Sequence, residues 1–426
     1  MKLEIGKNQI YSFLIFTIFL DAYSLFQIGN RHITFIYLGI FVLALFSIKD
    51  MKNITRGLAD NLFVLLMIMY MPINYLIKGN GEVSSLLIGM FCWFFYAISY
   101  RNTSEKIFEE TVRLFQKGMC ILAVYGIYQV LAYQLNLPFK DPWIDGFMVT
   151  GYNWGNYVNV GSLHIRRANA IFREPSYYSQ FLALNVLIYF SNYITNEYTT
   201  QKSKRNVIKW LAINVIAMIV SFSGTGLVMM IIGMGGLLLT NKKVETLKFV
   251  KKNIGLILLV IIGVILICLI PNSITKYILG RTAEFDSSNI ESISGYIRMV
   301  LPYQAALEII KSGNYILGCG IGNASTYIST MGAISFLMSK EIGNTLIAAM
   351  QPIIPRTIAE EGCIGFIILL GFFWKAWKKK NLVNSTYKAL LLGTYIMSFM
   401  HGTWSSEVYW LMLGFLNVRF IEKNDE

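Results

Sequence analysis

Between Ile165 and Phe181 the chain reads IRRANAIFREPSYYSQF. Three arginines (Arg166, Arg167, Arg173) and one acid (Glu174) stand directly before an apolar stretch. Arginine presents five donors in a planar fork that fits phosphate oxygens, and its charge is weakly hydrated. Three such groups at the mouth of one helix suit binding of a phosphorylated, lipid-linked group. Each also has a plainer reading, because basic residues at helix ends snorkel to lipid headgroups. Pro175 fits the first turn of the helix and Glu174 complements its positive end. Glu174 therefore reads as a cap and partner of Arg173, or as a base beside bound pyrophosphate. His164, two residues before Arg166, is a further acid–base candidate.

A second constellation lies downstream in PIIPRTIAEEGCIGF. Arg356 and Glu360 are four residues apart and share a face if the segment is helical. A helix-stabilising ion pair is one reading, and substrate binding at the membrane is the other. His401, beside Trp404 and Glu407, reads chiefly as an interfacial residue. GCGIGN has Asn323 where a dinucleotide fingerprint needs its third glycine, and no βαβ pattern surrounds it. It reads as a tight turn between helices, with a backbone anion cradle as the weaker alternative. SFSGTG lacks the lysine of a phosphate loop and reads as a break or close approach of two helices. The five cysteines form no C-x-x-C pair and the three histidines are far apart, so no disulfide framework and no metal site are expected. There is no D-x-D, which argues against a nucleotide-sugar donor held through a metal.

The elements that must position these residues are membrane helices. Of 426 residues 55% are hydrophobic and 14% charged, with a mean hydropathy of +0.52. Apolar runs long enough to span a bilayer imply an all-α, multi-pass helical bundle, because lipid leaves backbone groups no partner but the helix itself. Runs near 10–28, 33–48, 61–77, 83–100, 118–137, 176–195, 207–222, 225–240, 253–270, 358–374, 386–402 and 406–421 give about twelve spans in a single polytopic domain, 1–426. Both termini then share one side, which holds 25 of the 37 Lys and Arg and is the cytoplasm by the positive-inside rule. The net charge of +13 is thus mostly topological and does not point to nucleic acid. The first run lacks a small-residue cleavage site, so it is expected to stay as a helix.

Two larger outer loops remain, about 138–175 and 271–357, both expected to contain short helices, and they hold six of the seven outer arginines, including Arg298. The first is rich in Gly, Asn, Tyr and Trp, and its aromatics suit stacking on sugar faces. In the second, ISGYIRMVLPYQAALEII has the period of an amphipathic interfacial helix, with Pro302 at a kink or near its start. On the cytoplasmic side, EKIFEETVRLFQK reads as another surface-lying helix.

RRANAIFREPSYYSQFLALN resembles the "R…F.EP" segment that opens a helix in bacterial polysaccharide polymerases of the Wzy type and in O-antigen ligases. SFSGTGLVMM, SGYIRMVLPYQAALEIIKSGNYILGCGIGN and IAEEGCIGFIILLGF resemble their later segments, in the same order, over roughly 160–375. The resemblance implies a metal-independent, inverting glycosyltransferase without a cofactor. Its substrates would be oligosaccharides on undecaprenyl pyrophosphate, presented at the outer face of the bacterial cytoplasmic membrane. A polymerase moves the growing glycan from that carrier onto the terminal sugar of the next lipid-linked repeat unit. Its expected partners are membrane lipids and, in the same pathway, a chain-length regulator and a flippase. Arg166, Arg167 and Arg173 fall on the first-loop arginine segment and Arg298 on the second-loop arginine. With Arg356 they form the expected pyrophosphate-binding set.

That chemistry needs positive charge against the leaving pyrophosphate and a base for the acceptor hydroxyl. Glu174, Glu360 and His164 are the base candidates, in that order. Where ligases carry an HN pair before the "E.G" glutamate, this chain has Gln351 and Pro352, which favours a polymerase over a ligase. The R-x10-G spacing of some polymerase loops is absent. The rival of another class is a lipid-linked oligosaccharide flippase. It fits less well, because the functional-looking residues are concentrated in two loops and not distributed over symmetric halves.

Overall fold

The computed structural model describes residues 7–20, 22–28, 31–48, 62–99, 105–142, 157–160, 163–195, 201–240, 299–324, 326–327, 352–379 and 385–400. These residues are mostly helical, as the composition predicts. The helices are α1 (Lys7–Phe19), α2 (Phe35–Ile48), α3 (Leu62–Lys78), α4 (Val83–Ser99), α5 (Glu105–Gln134), α6 (Pro175–Ile194), α7 (Gln201–Val220), α8 (Gly224–Thr240), α9 (Leu301–Ile309), α10 (Ile353–Lys379) and α11 (Ser385–Met400). Ten of the expected spans overlap one of them, while 253–270 and 406–421 lie outside the described residues. Two helices, Lys106–Gln134 and Ile353–Lys378, are long and apolar enough to cross a membrane.

Three expectations are corrected. The run at 10–28 is not one helix: α1 ends at Phe19, and Ser24–Ile28 (β1) pairs antiparallel with Arg31–Thr34 (β2). SLFQI is as apolar as a helix segment, and a short apolar run does not distinguish strand from helix. EKIFEETVRLFQK does not form a helix of its own. It is the N-terminal part of α5, whose 30 residues extend about 45 Å at 1.5 Å per residue. In the first outer loop the described part is a second hairpin, β3 (Tyr157–Val160) with β4 (Leu163–Arg166), where a short helix was expected.

The described chain falls into two compact units. The first comprises Met1–Leu43, Glu109–Thr282 and Val383–Gly393. Its centre is α6, which is buried on nearly every side, as a helix apolar all round must be. Small residues let its neighbours approach. A Cβ on Gly226 of α8 would meet the Ser179 hydroxyl at 2.6 Å, and one on Gly233 would meet Leu187 at the same distance. Buried polar groups add hydrogen bonds between these helices: Asn185 donates to Asn214 Oδ1 at 2.9 Å and Ser179 to Ser223 at 2.8 Å.

The second unit comprises Ala44–Phe108, Ala283–Leu382 and Thr394–Glu426. Here α10 packs on α3 and on α9. Phe372 of α10 sits edge-on to Trp93 and Tyr96 of α4, with ring centres 5.2 and 4.9 Å away. Helix α9 buries Leu301, Pro302, Ala305, Ala306 and Ile309 and leaves Leu307 more than half exposed. This is the predicted amphipathic face, and Pro302 stands in its first turn, where its missing N–H costs nothing.

Candidate functional site

In the first unit, the hairpin β3–β4 places Tyr157 opposite Arg166 and Asn159 opposite His164. Side chains two residues apart on a strand share a face, so these four stand together. The His164 ring stacks on Tyr157 at 4.4 Å and 13°, and its Nδ1 lies 2.7 Å from Asn159 Oδ1. Arg166 is fully buried, with its guanidinium carbon 4.2 Å from the centre of the Tyr133 ring and 5.9 Å from that of Tyr157. A guanidinium over an aromatic face is held by the ring's quadrupole. Tyr133 in turn donates its hydroxyl to Asp141. Burial pushes the Asp141 carboxyl up, and the charge of Arg166 pulls it part of the way back.

Arg167 has different surroundings. Its Nε donates to the Ser221 carbonyl at 3.3 Å and its Nη2 to the Phe222 carbonyl at 3.1 Å. Those carbonyls follow the last turn of α7, where an arginine satisfies groups that the helix leaves open. The backbone N–H of Ala168 donates to Val220, so 167–168 is stitched to the α7–α8 turn. One side chain organises the next residues: Gln129 Oε1 accepts from Asn169 N at 3.2 Å and Ala170 N at 3.0 Å. Arg173 and Glu174 are half-buried at the mouth of α6. Glu174 is the N-cap residue and Pro175 the first helical residue, as read from the sequence. The Glu174 carboxylate makes no cap bond but accepts from the Ser176 hydroxyl at 3.0 Å.

In the second unit, Arg356 and Glu360 do share a helical face. Arg356 Nε lies 3.0 Å from Glu360 Oε1, with both side chains largely out of solvent. Two residues later α10 breaks: Gly362 has φ 69° and ψ −162°, which is not helical. The glycine-rich turn fills the break. Cys319 N donates to Ala359 O at 2.8 Å and Gly320 N to Glu360 O at 3.1 Å, while Cys363 N donates back to Tyr315 O at 2.8 Å. Helix α3 completes the exchange, with the Tyr70 hydroxyl on Glu361 O at 2.6 Å and Asn74 Nδ2 on Leu317 O at 2.6 Å. Every backbone group that the break frees at these positions is thereby satisfied, as a buried backbone requires.

The turn has positive φ at Gly318, Gly320 and Gly322. A Cβ at Gly318 would collide with the Glu360 backbone. The N–H groups of 318, 319, 320 and 323 all go to backbone carbonyls. GCGIGN is thus a packing turn, and at these positions it holds no donors free to cradle an anion. Cys319 within it is inert: burial first, then the charge of Glu360, pushes its thiol up to about 12.

The sequence candidates therefore divide in kind. His164 and Arg166 share a hairpin face, Arg167 secures a helix end, and Arg173 with Glu174 forms the mouth of α6. Arg356 and Glu360 form an ion pair beside a helix break. Arg298, Gln351 and His401 lie outside the described residues. Sequence reading missed Tyr133, Asp141 and Gln129, which hold the first arginine segment. It also missed Glu361, buried next to Glu360. The one available signal was the spacing of Glu361 to Gly365, since the Glu361 side chain lies over that glycine. Compared with known proteins, no family model and no curated protein matches the chain.

Proposed function

We propose that this chain is a polysaccharide repeat-unit polymerase of the bacterial cytoplasmic membrane, with about twelve spans and both termini in the cytoplasm. It transfers a growing glycan from undecaprenyl pyrophosphate to the terminal sugar of the next lipid-linked repeat unit at the outer face. The order of the resembling segments over roughly 160–375 supports the polymerase reading, and the pairing of segments by side supports its topology. Segments expected outside bond to one another: Arg167 to the α7–α8 turn, and Glu82 N to Ile321 O at 2.9 Å. Segments expected at the cytoplasmic ends do the same, with Ser191 on Ser385 O at 2.9 Å. Bare apolar side chains such as Ile121, Ile231, Leu239 and Leu76 suit contact with lipid.

In this reading the role of Arg173 and Arg298 is to stabilise the charge that grows on the pyrophosphate as the glycosidic bond to the carrier breaks. Arg356 is neutralised by Glu360 until a phosphate competes for it. Glu174, Glu360 and His164 remain the candidates to take the proton of the acceptor hydroxyl. The test is the glycan of a deletion strain. Single repeat units capping the surface lipid support a polymerase, whereas loss of all glycan from the lipid A core means a ligase. Repeat units stranded on the cytoplasmic leaflet mean a flippase. Arg173→Ala and Arg298→Ala should each abolish polymerisation while the protein stays in the membrane, and full activity in both would sink the proposed site.

A further inference from the structure

The break in α10 holds an imbalance that the polymerase reading does not use. Two carboxylates, Glu360 and Glu361, are buried side by side at 2% and 1% exposure. One guanidinium, Arg356, accompanies them, and its Nε is on Glu360. The charges acting on Glu361 are those of Glu360 and Arg356. Lys78 is directed elsewhere, with its Nζ on Asn314 Oδ1 at 2.9 Å. With both carboxylates ionised the group is one positive charge short, and a buried charge without compensation is expensive.

Three buried side-chain oxygens around the break have no hydrogen-bond partner: Glu361 Oε2, Asn74 Oδ1 and Thr357 Oγ1. Thr357 stands four residues before Glu361, on the same face of the first half of α10. Asn74 reaches the same place from α3. Its Nδ2 is 3.2 Å from the Tyr70 hydroxyl, which itself donates to Glu361 O. Because Nδ2 is committed to Leu317 O, the free atom of the amide is its oxygen. Gly365 makes the room, since a Cβ there would lie 2.6 Å from Glu361 Oε2.

We propose that this break binds a monovalent cation, sodium, between Glu361, Asn74 and Thr357. An all-oxygen set of one carboxylate, one amide and one hydroxyl is the donor set of a hard cation. Broken helices in membrane proteins offer such sites, where the end of a half-helix adds its carbonyl dipoles. A water molecule can donate to the carboxylate and amide oxygens and accept from the Thr357 hydroxyl, but it brings no charge. A proton on Glu361 restores neutrality and gives the carboxyl a donor, so the experiment must separate sodium from a proton. The inference goes beyond the polymerase reading and does not depend on it.

The experiment is thermal unfolding of the purified full chain in detergent, in sodium chloride against choline chloride at equal ionic strength. A site half-filled at about 10 mM raises the midpoint by about 1.5–2 °C at 100 mM sodium. Glu361→Gln should remove the sodium-dependent shift, and Thr357→Val should raise the half-saturating sodium concentration severalfold. Thr357→Val also keeps the proposal testable if Glu361→Gln does not fold. Equal midpoints in the two salts overturn the proposal, as does a shift that survives in Glu361→Gln and Thr357→Val alike. A midpoint that follows pH and ignores sodium overturns it in favour of a proton on Glu361.

Discussion

At the scale of single residues, the four described arginines grouped by one sequence argument have separate occupations. Arg167 holds carbonyls at the end of α7, so Arg167→Ala should cost about 1–2 kcal/mol through the lost charge-assisted bonds. A lower thermal midpoint checks this, and the deficit should be partly restored by Lys. Asp141 carries a pH signature. Its carboxyl titrates above the ordinary 3.8 because burial disfavours its charge. A raised folded-state value adds stability that is complete below 3.8 and is lost as pH rises through the raised value. Asp141→Asn keeps that stability at neutral pH. Its midpoint should exceed the native one there, and the two should converge as the pH falls toward 3.8. The Arg356–Glu360 pair was legible in the sequence because i,i+4 spacing fixes its geometry locally. The burial of Arg166 was not, since Tyr133 and Tyr157 reach it from other elements.

At the scale of elements, glycines separate into those that pack and those that do not. Gly226 meets Ser179, whereas Gly235, also on α8, has nothing within 4 Å of a built Cβ. Gly235→Ala should therefore be neutral or stabilising by up to about 1 kcal/mol from helix propensity, and Gly226→Ala destabilising. Denaturation of the two variants side by side reads the contrast. Gly362 combines a backbone region reserved for glycine with a collision against Ile316 O. Gly362→Ala should cost about 3 kcal/mol or more, adding strain to a clash, and deplete folded protein in the membrane. Gly313, at φ 92° with open space around it, should cost only the strain. The mouth of α6 and the turn at GCGIGN were readable from Pro175 and from glycine spacing. The break at Gly362 was not, because no proline marks it and the turn that seals it lies some forty residues earlier in the chain.

At the scale of the whole molecule, the proposed twelve-span topology makes a direct prediction for an otherwise cysteine-free chain. Glu82→Cys and Lys311→Cys, both exposed, should react with an impermeant maleimide on intact cells. Glu109→Cys and Lys378→Cys, also exposed, should react only after permeabilisation. The reverse pattern, or labelling of all four on intact cells, would overturn the topology. Composition and the Lys/Arg distribution carried the fold class, since length and hydropathy are properties of each run alone. The two-unit grouping is non-local and left no trace that composition records, while the short hairpin strands were missed because brief apolar runs do not distinguish strand from helix.

The sealed break also has a consequence for assembly. The bonds from Tyr70 and Asn74 cross 291 and 243 residues, and α3 is synthesised long before either partner. Until Leu317 and then Glu361 are made, the Asn74 amide and the Tyr70 hydroxyl lack the groups they serve. This unit therefore closes late, after most of the chain exists, as non-local contacts do. A truncation before Glu361 leaves the Tyr70 hydroxyl without its acceptor and the seam incomplete.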